Sequence, residues 1–567
     1  MKILSKNTSD TETKDTCNND KYHTPEQALK ILFGYDSFRA GQKSVIDSIL
    51  AGRDAFAVMP TGAGKSVCYQ IPAVLLPGIT LVVSPLISLM QDQVKALNEA
   101  GVPAAFINSS LSEKDYNETI RRARQGIYKI IYIAPERLVT EGFLALAKSV
   151  PISMVTVDEA HCISQWGQDF RPSYMKIVEF VKTLEKRPII SAFTATATET
   201  VREDIVCTLG LQNPFTLVNG FDRENLFFQV EKPKNKEQYI LKYISEHSGD
   251  SGIIYCATRK NVDNIYELLK SKGISVGKYH AGMNAEERKK MQDDFVFDYT
   301  SIVVATNAFG MGIDKSNVRF VIHYNMPKNM EGYYQEAGRA GRDGDPAECI
   351  LLYSGKDVVT NQYLIERGQD NQEMEAAAWR LVRERDQERL KQMTFYCFTH
   401  DCLREYILKY FGEYGKSYCG NCLNCQTEFE EQDVSQEARA MIRCVESSGQ
   451  RYGVNVILDT LRGASTAKIR QYEMDGNPEY GVCAKIPAHR LRQIFNYLVL
   501  KEAIPFSQRV EKFKVCYEEN GSMKECYNGT TIGYKKIIDL KGIQTDFLAI
   551  VIEDSRVAPV MSFVGVY

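Results

Sequence analysis

The run Thr61-Gly62-Ala63-Gly64-Lys65-Ser66 constrains this chain more than any other stretch. It follows a short apolar segment, Asp54-Ala55-Phe56-Ala57-Val58-Met59, with the composition of a strand, and it precedes a helical pattern beginning near Ser66. Strand, glycine-rich turn and helix in that order form a phosphate cradle. Gly62 and Gly64 let the backbone turn its N–H groups toward the ligand, Lys65 neutralises the outer phosphates, and the Ser66 hydroxyl is placed for Mg²⁺. Met59 stands where the full pattern has glycine, so the reading rests on the strand and helix context. The bland alternative is a glycine-rich turn closing onto a helix.

Two further runs complete the picture. Asp158-Glu159-Ala160-His161 follows the β-branched segment Ile152-Ser153-Met154-Val155-Thr156-Val157, which puts both carboxylates at the C-terminal end of a strand. Asp158 can hold Mg²⁺ through water and Glu159 can polarise an attacking water, whereas an acidic pair alone is often a solvated turn. In Gln335-Glu336-Ala337-Gly338-Arg339-Ala340-Gly341-Arg342, the residues Gln335, Arg339 and Arg342 have the i, i+4, i+7 spacing of one helical face. At an interface between lobes such a face reaches a γ-phosphate; standing alone it is a solvated basic face. Gly338 and Gly341 allow close approach of backbone or ligand, which favours the first. Together the three runs read as a split ATP site.

With 567 residues the chain has room for three or four domains, and 44% hydrophobic content supplies their cores. No run of apolar residues is long enough to span a membrane. Residues 1–21 are polar, without the apolar core of a signal peptide, and are expected to form a mobile arm. The formal net charge of −3 means that any nucleic-acid surface is built from local clusters of Lys and Arg. Of fifteen cysteines, four cluster and eleven are scattered singly, which fits reduced thiols in a cytosolic protein.

From about Thr24 to Val218, apolar runs such as Thr80-Leu81-Val82-Val83, Ile130-Ile131-Tyr132-Ile133 and Pro188-Ile189-Ile190-Ser191-Ala192-Phe193 alternate with helical patterns. That alternation predicts an α/β fold with a parallel sheet wrapped by helices. A second series runs through Gly252-Ile253-Ile254-Tyr255-Cys256, Ile302-Val303-Val304-Ala305 and Phe320-Val321-Ile322-His323-Tyr324 and has no phosphate loop of its own. It predicts a second lobe that contributes to the first site across a cleft. After Asp357 come a charged helical stretch, Gln369 to Gln392, a cysteine cluster ending at Cys425, and from Asp433 a helical module with a β-rich tail. No repeat of solenoid period is evident.

Cys402, Cys419, Cys422 and Cys425 are spaced C-x16-C-x2-C-x2-C. Four thiolates satisfy tetrahedral Zn²⁺, but C-x2-C-x2-C also occurs around [4Fe–4S] clusters, so the residues alone leave both open. Cys397 lies outside the pattern and reads as a core thiol. In Cys162-Ile163-Ser164-Gln165-Trp166-Gly167-Gln168-Asp169-Phe170-Arg171-Pro172, Trp166 and Phe170 sit on a loop bounded by Gly and Pro. There they can stack on unpaired bases, the alternative being ordinary core aromatics. Arg462-Gly463-Ala464-Ser465-Thr466-Ala467-Lys468-Ile469-Arg470 offers a hydroxyl cap and a helix start whose Lys468 and Arg470 suit phosphate contacts. Leu491, Ile494, Phe495 and Leu498 form a core stripe.

The order of these motifs resembles a superfamily 2 helicase, and specifically the RecQ family of DNA helicases. Phe38-Arg39-Ala40-Gly41-Gln42, preceded by Tyr35, is similar to the family's adenine-recognition motif, which implies Tyr35, Arg39 and Gln42 as nucleotide contacts. Ser84-Pro85-Leu86-Ile87-Ser88-Leu89-Met90-Gln91-Asp92-Gln93 and Ala134-Pro135-Glu136-Arg137-Leu138 resemble motifs that hold single-stranded DNA. Ser191-Ala192-Phe193-Thr194-Ala195-Thr196-Ala197 resembles the coupling motif. Its counterpart on the second lobe is Ala305-Thr306-Asn307-Ala308-Phe309-Gly310-Met311-Gly312-Ile313-Asp314. The resemblance thereby implies Ser191, Thr194, Thr196 and Thr306 in DNA contact or coupling, and Gly312 and Asp314 at the nucleotide. Residues 162–172 resemble the aromatic-rich loop that couples DNA contact to hydrolysis in that family, with Gln168 where the pattern usually has His. Trp166, Phe170 and Arg171 are its implied contacts, and His161 joins Lys65, Asp158, Glu159, Gln335, Arg339 and Arg342 as implied catalytic groups.

The resemblance covers about Thr24 to Phe506 and decides for structural zinc. It implies two tandem RecA-like parallel-sheet lobes, then a helical zinc-binding subdomain and a winged-helix domain. The expected bounds are an arm at 1–23, lobes at 24–218 and 219–356, the zinc subdomain at 357–430 and the winged helix at 431–567. Residues 512–567 are β-prone, an enlarged wing or an added strand pair, and no additional C-terminal helical domain is expected. The implied activity is ATP- and Mg²⁺-dependent 3′ to 5′ movement on single-stranded DNA and separation of duplexes in repair or recombination. Single-strand-binding or repair proteins are the implied partners, and the cytoplasm, with the nucleoid in a bacterium, is the implied location. Two alternatives remain at this point: an RNA helicase or remodelling ATPase, since two lobes alone do not choose a nucleic acid, and an inactive DNA-binding scaffold. Every expected catalytic position is filled, which disfavours the scaffold.

Overall fold

The computed structural model describes residues 23–309, 315–367, 376–415, 417–428, 432–500, 510–519, 522–529 and 548–555. The first lobe carries β1 (Ala55–Val58), β2 (Ile79–Val83), β3 (Ala104–Ile107), β4 (Ile130–Ile133), β5 (Ile152–Val157), β6 (Ile189–Thr194) and β7 (Phe215–Val218). They form a seven-stranded sheet in the order β3-β4-β2-β5-β6-β1-β7, with every pair parallel. Helices cover both faces. Ala55 and Ala57 enter one core with Val82, Tyr132 and Phe193, while Phe56 and Val58 enter the other with Leu81, Val83 and Val155. Burial on both faces is why these strands read as continuous apolar runs rather than alternating ones.

The second lobe repeats the plan with β8 (Leu226–Glu231), β9 (Ser251–Tyr255), β10 (Val276–Tyr279), β11 (Ile302–Ala305), β12 (Val318–His323) and β13 (Ala347–Leu352). Their order is β10-β11-β9-β12-β13-β8, again all parallel. Gly252 in β9 has no room for a side chain, because the ring of Phe320 from β12 fills that place.

Helices Gly355–Arg367, Ala376–Tyr396, Leu403–Tyr410 and Leu423–Gln426 follow. Phe411 stacks on Phe221 with ring centroids 4.4 Å apart. Arg404 is buried, and its guanidinium donates to Asp222 Oδ1 at 2.7 Å and to the Leu226 carbonyl at 2.6 Å. The cysteine-bearing helices are thereby fastened to the chain entering the second lobe.

Residues 429–567 form a separate compact unit. Its helices are Ser435–Ser447, Val454–Leu461, Ala467–Gln471 and Ala488–Leu500, and β14 (Val510–Glu519), β15 (Ser522–Gly529) and β16 (Leu548–Ser555) make an antiparallel sheet in the order β15-β14-β16. Leu491, Ile494 and Leu498 are buried in it as the stripe predicts, with Phe495 half-buried. The described part of the β-prone tail forms three strands. Most of the expected N-terminal arm, Gly312, Asp314 and the start of the charged helical stretch lie outside the described residues. Among the described residues no helix is long and apolar enough to cross a membrane.

Candidate active site

Because β5, β6 and β1 are neighbours, the segments leaving their C-terminal ends meet at one edge of the sheet. The phosphate loop leaves β1. Gly62 and Gly64 have φ of 85° and 78°, a left-handed backbone that suits glycine. Gly64 caps the helix Lys65–Leu75 without a side-chain partner, so that helix presents its first N–H groups toward the loop's concave side. Gln42 braces the loop from behind. Its Nε2 donates to the carbonyls of Ala63 at 3.0 Å and Gly64 at 3.1 Å, and its Oε1 accepts from the Arg39 N–H at 2.8 Å. The Arg39 guanidinium donates to the Gly62 carbonyl. Two residues implied as adenine contacts therefore also hold the loop itself, while Tyr35 stands exposed before them. Thr61 and Ser66 are half-buried at the two ends of the loop.

The acidic segment leaves β5 beside it. Glu159 adopts φ 46°, a strained conformation for a residue with a side chain, of the kind that gathers at active sites. Its backbone is pinned by the preceding residue: the Asp158 N–H donates to Val83 O at 2.9 Å, and Tyr174 Oη donates to Asp158 O at 3.0 Å. Glu159 Oε1 lies 3.4 Å from Lys65 Nζ and Oε2 lies 3.3 Å from His161 Nδ1. His161 Nδ1 is in turn 2.9 Å from Thr194 Oγ1, which donates to Thr196 O at 3.1 Å, and Ser191 Oγ pairs with Thr156 Oγ1 at 2.8 Å. Burial and then the neighbouring Glu159 charge push the Asp158 carboxyl up to about 6. Burial opposes the ionisation of Glu159 as well, but the Lys65 ammonium and His161 outweigh it and hold that carboxylate low.

The spacing of Gln335, Arg339 and Arg342 predicts one helical face, and the structure corrects this. The helix Met330–Ala337 ends before Arg339, and Gly341 turns the chain with φ 56°. The turn is held by residues with no recognisable motif. Arg223 donates to the carbonyls of Gly341 at 2.8 Å and Ala340 at 3.1 Å, and Asn225 Nδ2 donates to those of Gly341 and Asp345, both at 2.8 Å. The three side chains consequently part company. Gln335 faces the aromatic loop, Arg339 is buried and bonded to Tyr255, and Arg342 crosses to the phosphate loop, where a Cβ on Gly62 would lie 3.4 Å from its Cγ. Arg342 and the phosphate loop line a cleft of about 250 Å³ whose walls include Arg39, Thr61, Gly62, Asp222, Arg223 and Arg342.

The aromatic loop connects these parts. Gly167 is required, since any Cβ there would run into the His161 carbonyl. Gln168 Nε2 lies 3.4 Å from Gln335 Oε1 and 3.5 Å from Thr196 Oγ1, bridging the two lobes. Arg171 is held by Asp169 Oδ2 at 2.8 Å and by the Pro85 carbonyl at 3.3 Å, and Phe170 is half-buried. Trp166 is 38% exposed, yet its ring is not an open platform, because the guanidinium of Arg385 lies over it. Nothing near Trp166 in the sequence marks that partner. Thr306 follows β11, half-buried, with its N–H donating to Tyr279 O at 3.1 Å.

In the separate unit, Thr466 Oγ1 caps the helix Ala467–Gln471 by accepting from Ile469 N at 3.4 Å, and Lys468 and Arg470 are exposed on it. Arg470 donates to Ser465 Oγ at 2.8 Å.

The sulfurs of Cys402, Cys419, Cys422 and Cys425 all lie within 4.8 Å of one another, and the pairs Cys402–Cys422 and Cys419–Cys425 are 3.9 Å apart. One ion about 2.3 Å from each of four tetrahedral thiolates sets them about 3.8 Å apart. A four-iron cluster, whose ligated irons are themselves separated, needs a wider set. Backbone N–H groups of Glu405 and Asn421 donate to Cys402 and Cys419 at 3.4 and 3.3 Å, as thiolate ligands require. Cys397 is buried and outside the cluster.

Family models match in the same order. They are DEAD/DEAH box helicase over residues 39–204, helicase conserved C-terminal domain over 235–344, RecQ zinc-binding over 355–426 and RQC domain over 428–535. The ATP-dependent DNA helicase RecQ of Bacillus subtilis (strain 168) is 42% identical over 486 residues, covering 86% of this chain and 81% of that one. The protein of the same description from Pasteurella multocida (strain Pm70) is 41% identical, covering 81% of this chain and 71% of that one. Among solved structures, the DUF1998 helicase MrfA bound to DNA and AMPPNP shares the fold, with a TM-score of 0.52 at 19% identity over 70% of this chain and 59% of that one.

Proposed function

The chain belongs to the RecQ family of ATP-dependent DNA helicases, and from that premise we propose that it moves 3′ to 5′ along single-stranded DNA and opens duplexes in repair or recombination. The observation that carries the reading is the crossing of Arg342 from the second lobe to Gly62 of the first. Hydrolysis then depends on closure of the cleft. In this reading ATP lies between residues 61–66 and the Gly341 turn, with Tyr35, Arg39 and Gln42 at its base. Ser66 and Asp158 would hold Mg²⁺, which neutralises charge on the phosphate oxygens. Lys65 binds the outer phosphates, Glu159 orients the attacking water, and Arg342 and Arg339 meet charge that develops in the transition state. His161 joins the catalytic groups, Gly312 and Asp314 contact the nucleotide, and Ser191, Thr194, Thr196 and Thr306 pass the state of that site to the DNA-facing segments.

Residues 24–218 and 219–356 are the two motor lobes of this account, 357–430 the zinc subdomain and 431–567 the duplex-facing module, where Lys468 and Arg470 meet phosphates. The protein works in the cytoplasm, alongside single-strand-binding or repair proteins. ATP-driven release of streptavidin from biotinylated oligonucleotides tests the direction. Release from the 5′ end of DNA is expected; release from the 3′ end, or equal activity on RNA of the same sequence, contradicts the proposal.

A further inference from the structure

Two arginines of the helix Ala376–Tyr396 meet the aromatic loop. Arg385 places its guanidinium carbon 3.4 Å from the centroid of the Trp166 ring, and its Nη1 donates to the Gln165 carbonyl at 2.7 Å. One turn on, Arg389 donates to the Trp166 carbonyl and lies 3.6 Å from Oε1 of Glu331. Glu331 opens the helix Met330–Ala337 that carries Gln335. Arg389 thus ties the loop of the first lobe to the helix that ends at the arginine turn of the second.

Arg385 is held differently. At 3.4 Å the guanidinium carbon is in contact with the indole face and occupies the place that a stacked base would take. Besides the ring, it holds the Gln165 carbonyl, a hydrogen bond that water or a nucleotide can replace when it leaves. Its Nε is buried without a hydrogen-bond partner, and Arg389 beside it is a like charge. Asp204, the carboxylate nearest in effect, is engaged by Ser164 Oγ at 2.5 Å.

We propose that Arg385 stands in for a nucleobase on Trp166 when no DNA is bound, so that single-stranded DNA gains the aromatic loop by displacing it. Arg385 is then a positioning residue for DNA-stimulated hydrolysis, supplied by the zinc subdomain. The inference rests on the reading of Trp166 as a DNA contact.

The test uses the full chain with Trp379→Phe, which leaves Trp166 as the single tryptophan. In Arg385→Gln, acrylamide should quench Trp166 more strongly than in the parent, and oligothymidylate should restore protection. The oligothymidylate concentration giving half-maximal ATPase stimulation should fall about fivefold, the order of one cation–π contact. Arg385→Lys, which keeps charge but loses the planar face, should lie between. Equal zinc content in all variants reports an intact subdomain; if Arg385→Gln loses zinc, Arg385→Lys carries the same comparison. Unchanged quenching, or a half-saturating concentration that stays or rises, overturns the inference. Trp166→Ala separates the two ideas. Full DNA stimulation in that variant removes the loop reading itself, whereas blunted stimulation beside an Arg385→Gln that matches the parent removes only the role of Arg385.

Discussion

Arg342 of the second lobe packs over Gly62 of the phosphate loop, so close that a methyl group on Gly62 would touch its Cγ at 3.4 Å. The first expectation follows from that contact. Arg342→Ala should lower the DNA-stimulated rate a hundredfold or more, on the order of losing an arginine that meets transition-state charge. Binding of a fluorescent ATP analogue should persist. Gly62→Ala should also lose rate, because φ of 85° strains a side chain there even before it meets Arg342. A variant of Arg342 with wild-type turnover would place the arginine outside the chemistry.

Lys65 and Glu159 are paired at 3.4 Å, and the two should fail in different ways. Lys65→Ala removes the charge that meets phosphate, so hydrolysis should vanish while DNA affinity, set across the lobes, stays largely intact. Glu159→Gln should bind ATP and not turn it over. Filter binding and a phosphate-release assay on both variants check this; equal loss of DNA binding in Lys65→Ala would mean the site is misplaced.

Metal analysis should find about one Zn²⁺ per chain. Changing Cys402, Cys419, Cys422 or Cys425 to Ser should lower the melting temperature and the yield of soluble protein, since metal binding energy is folding energy here. A brown preparation containing iron would instead support the cluster chemistry that the spacing alone allows.

Trp166→Ala should blunt stimulation by single-stranded DNA more than it weakens binding. One lost base stack is worth roughly 1–3 kcal/mol, against an affinity resting mainly on phosphate contacts. ATPase and anisotropy titrations on one oligonucleotide give both quantities. Full stimulation would make Trp166 an ordinary packing residue.

The sheets were legible because strands buried on both faces must be apolar throughout, and β4 and β11 fall where their runs predict. The phosphate loop and acidic segment were legible because their chemistry is local to a few residues. The arginine face was not: a spacing of i, i+4, i+7 assumes an unbroken helix, but the helix ends at Ala337, and Gly341, held left-handed by Arg223 and Asn225, turns the chain beyond it. Contacts such as Arg385 on Trp166 join residues far apart in the chain, so no local pattern announces them. Gln42 carried a signal for nucleotide but none for its brace on the phosphate loop.

Strand separation on duplexes with either a 3′ or a 5′ single-stranded tail, in the presence of ATP and Mg²⁺, tests the central claim most directly. The account predicts that the wild-type chain opens the 3′-tailed duplex, leaves the 5′-tailed one closed, and loses the activity on Arg342→Ala. Opening of the 5′-tailed duplex, or undiminished opening by Arg342→Ala, would contradict it.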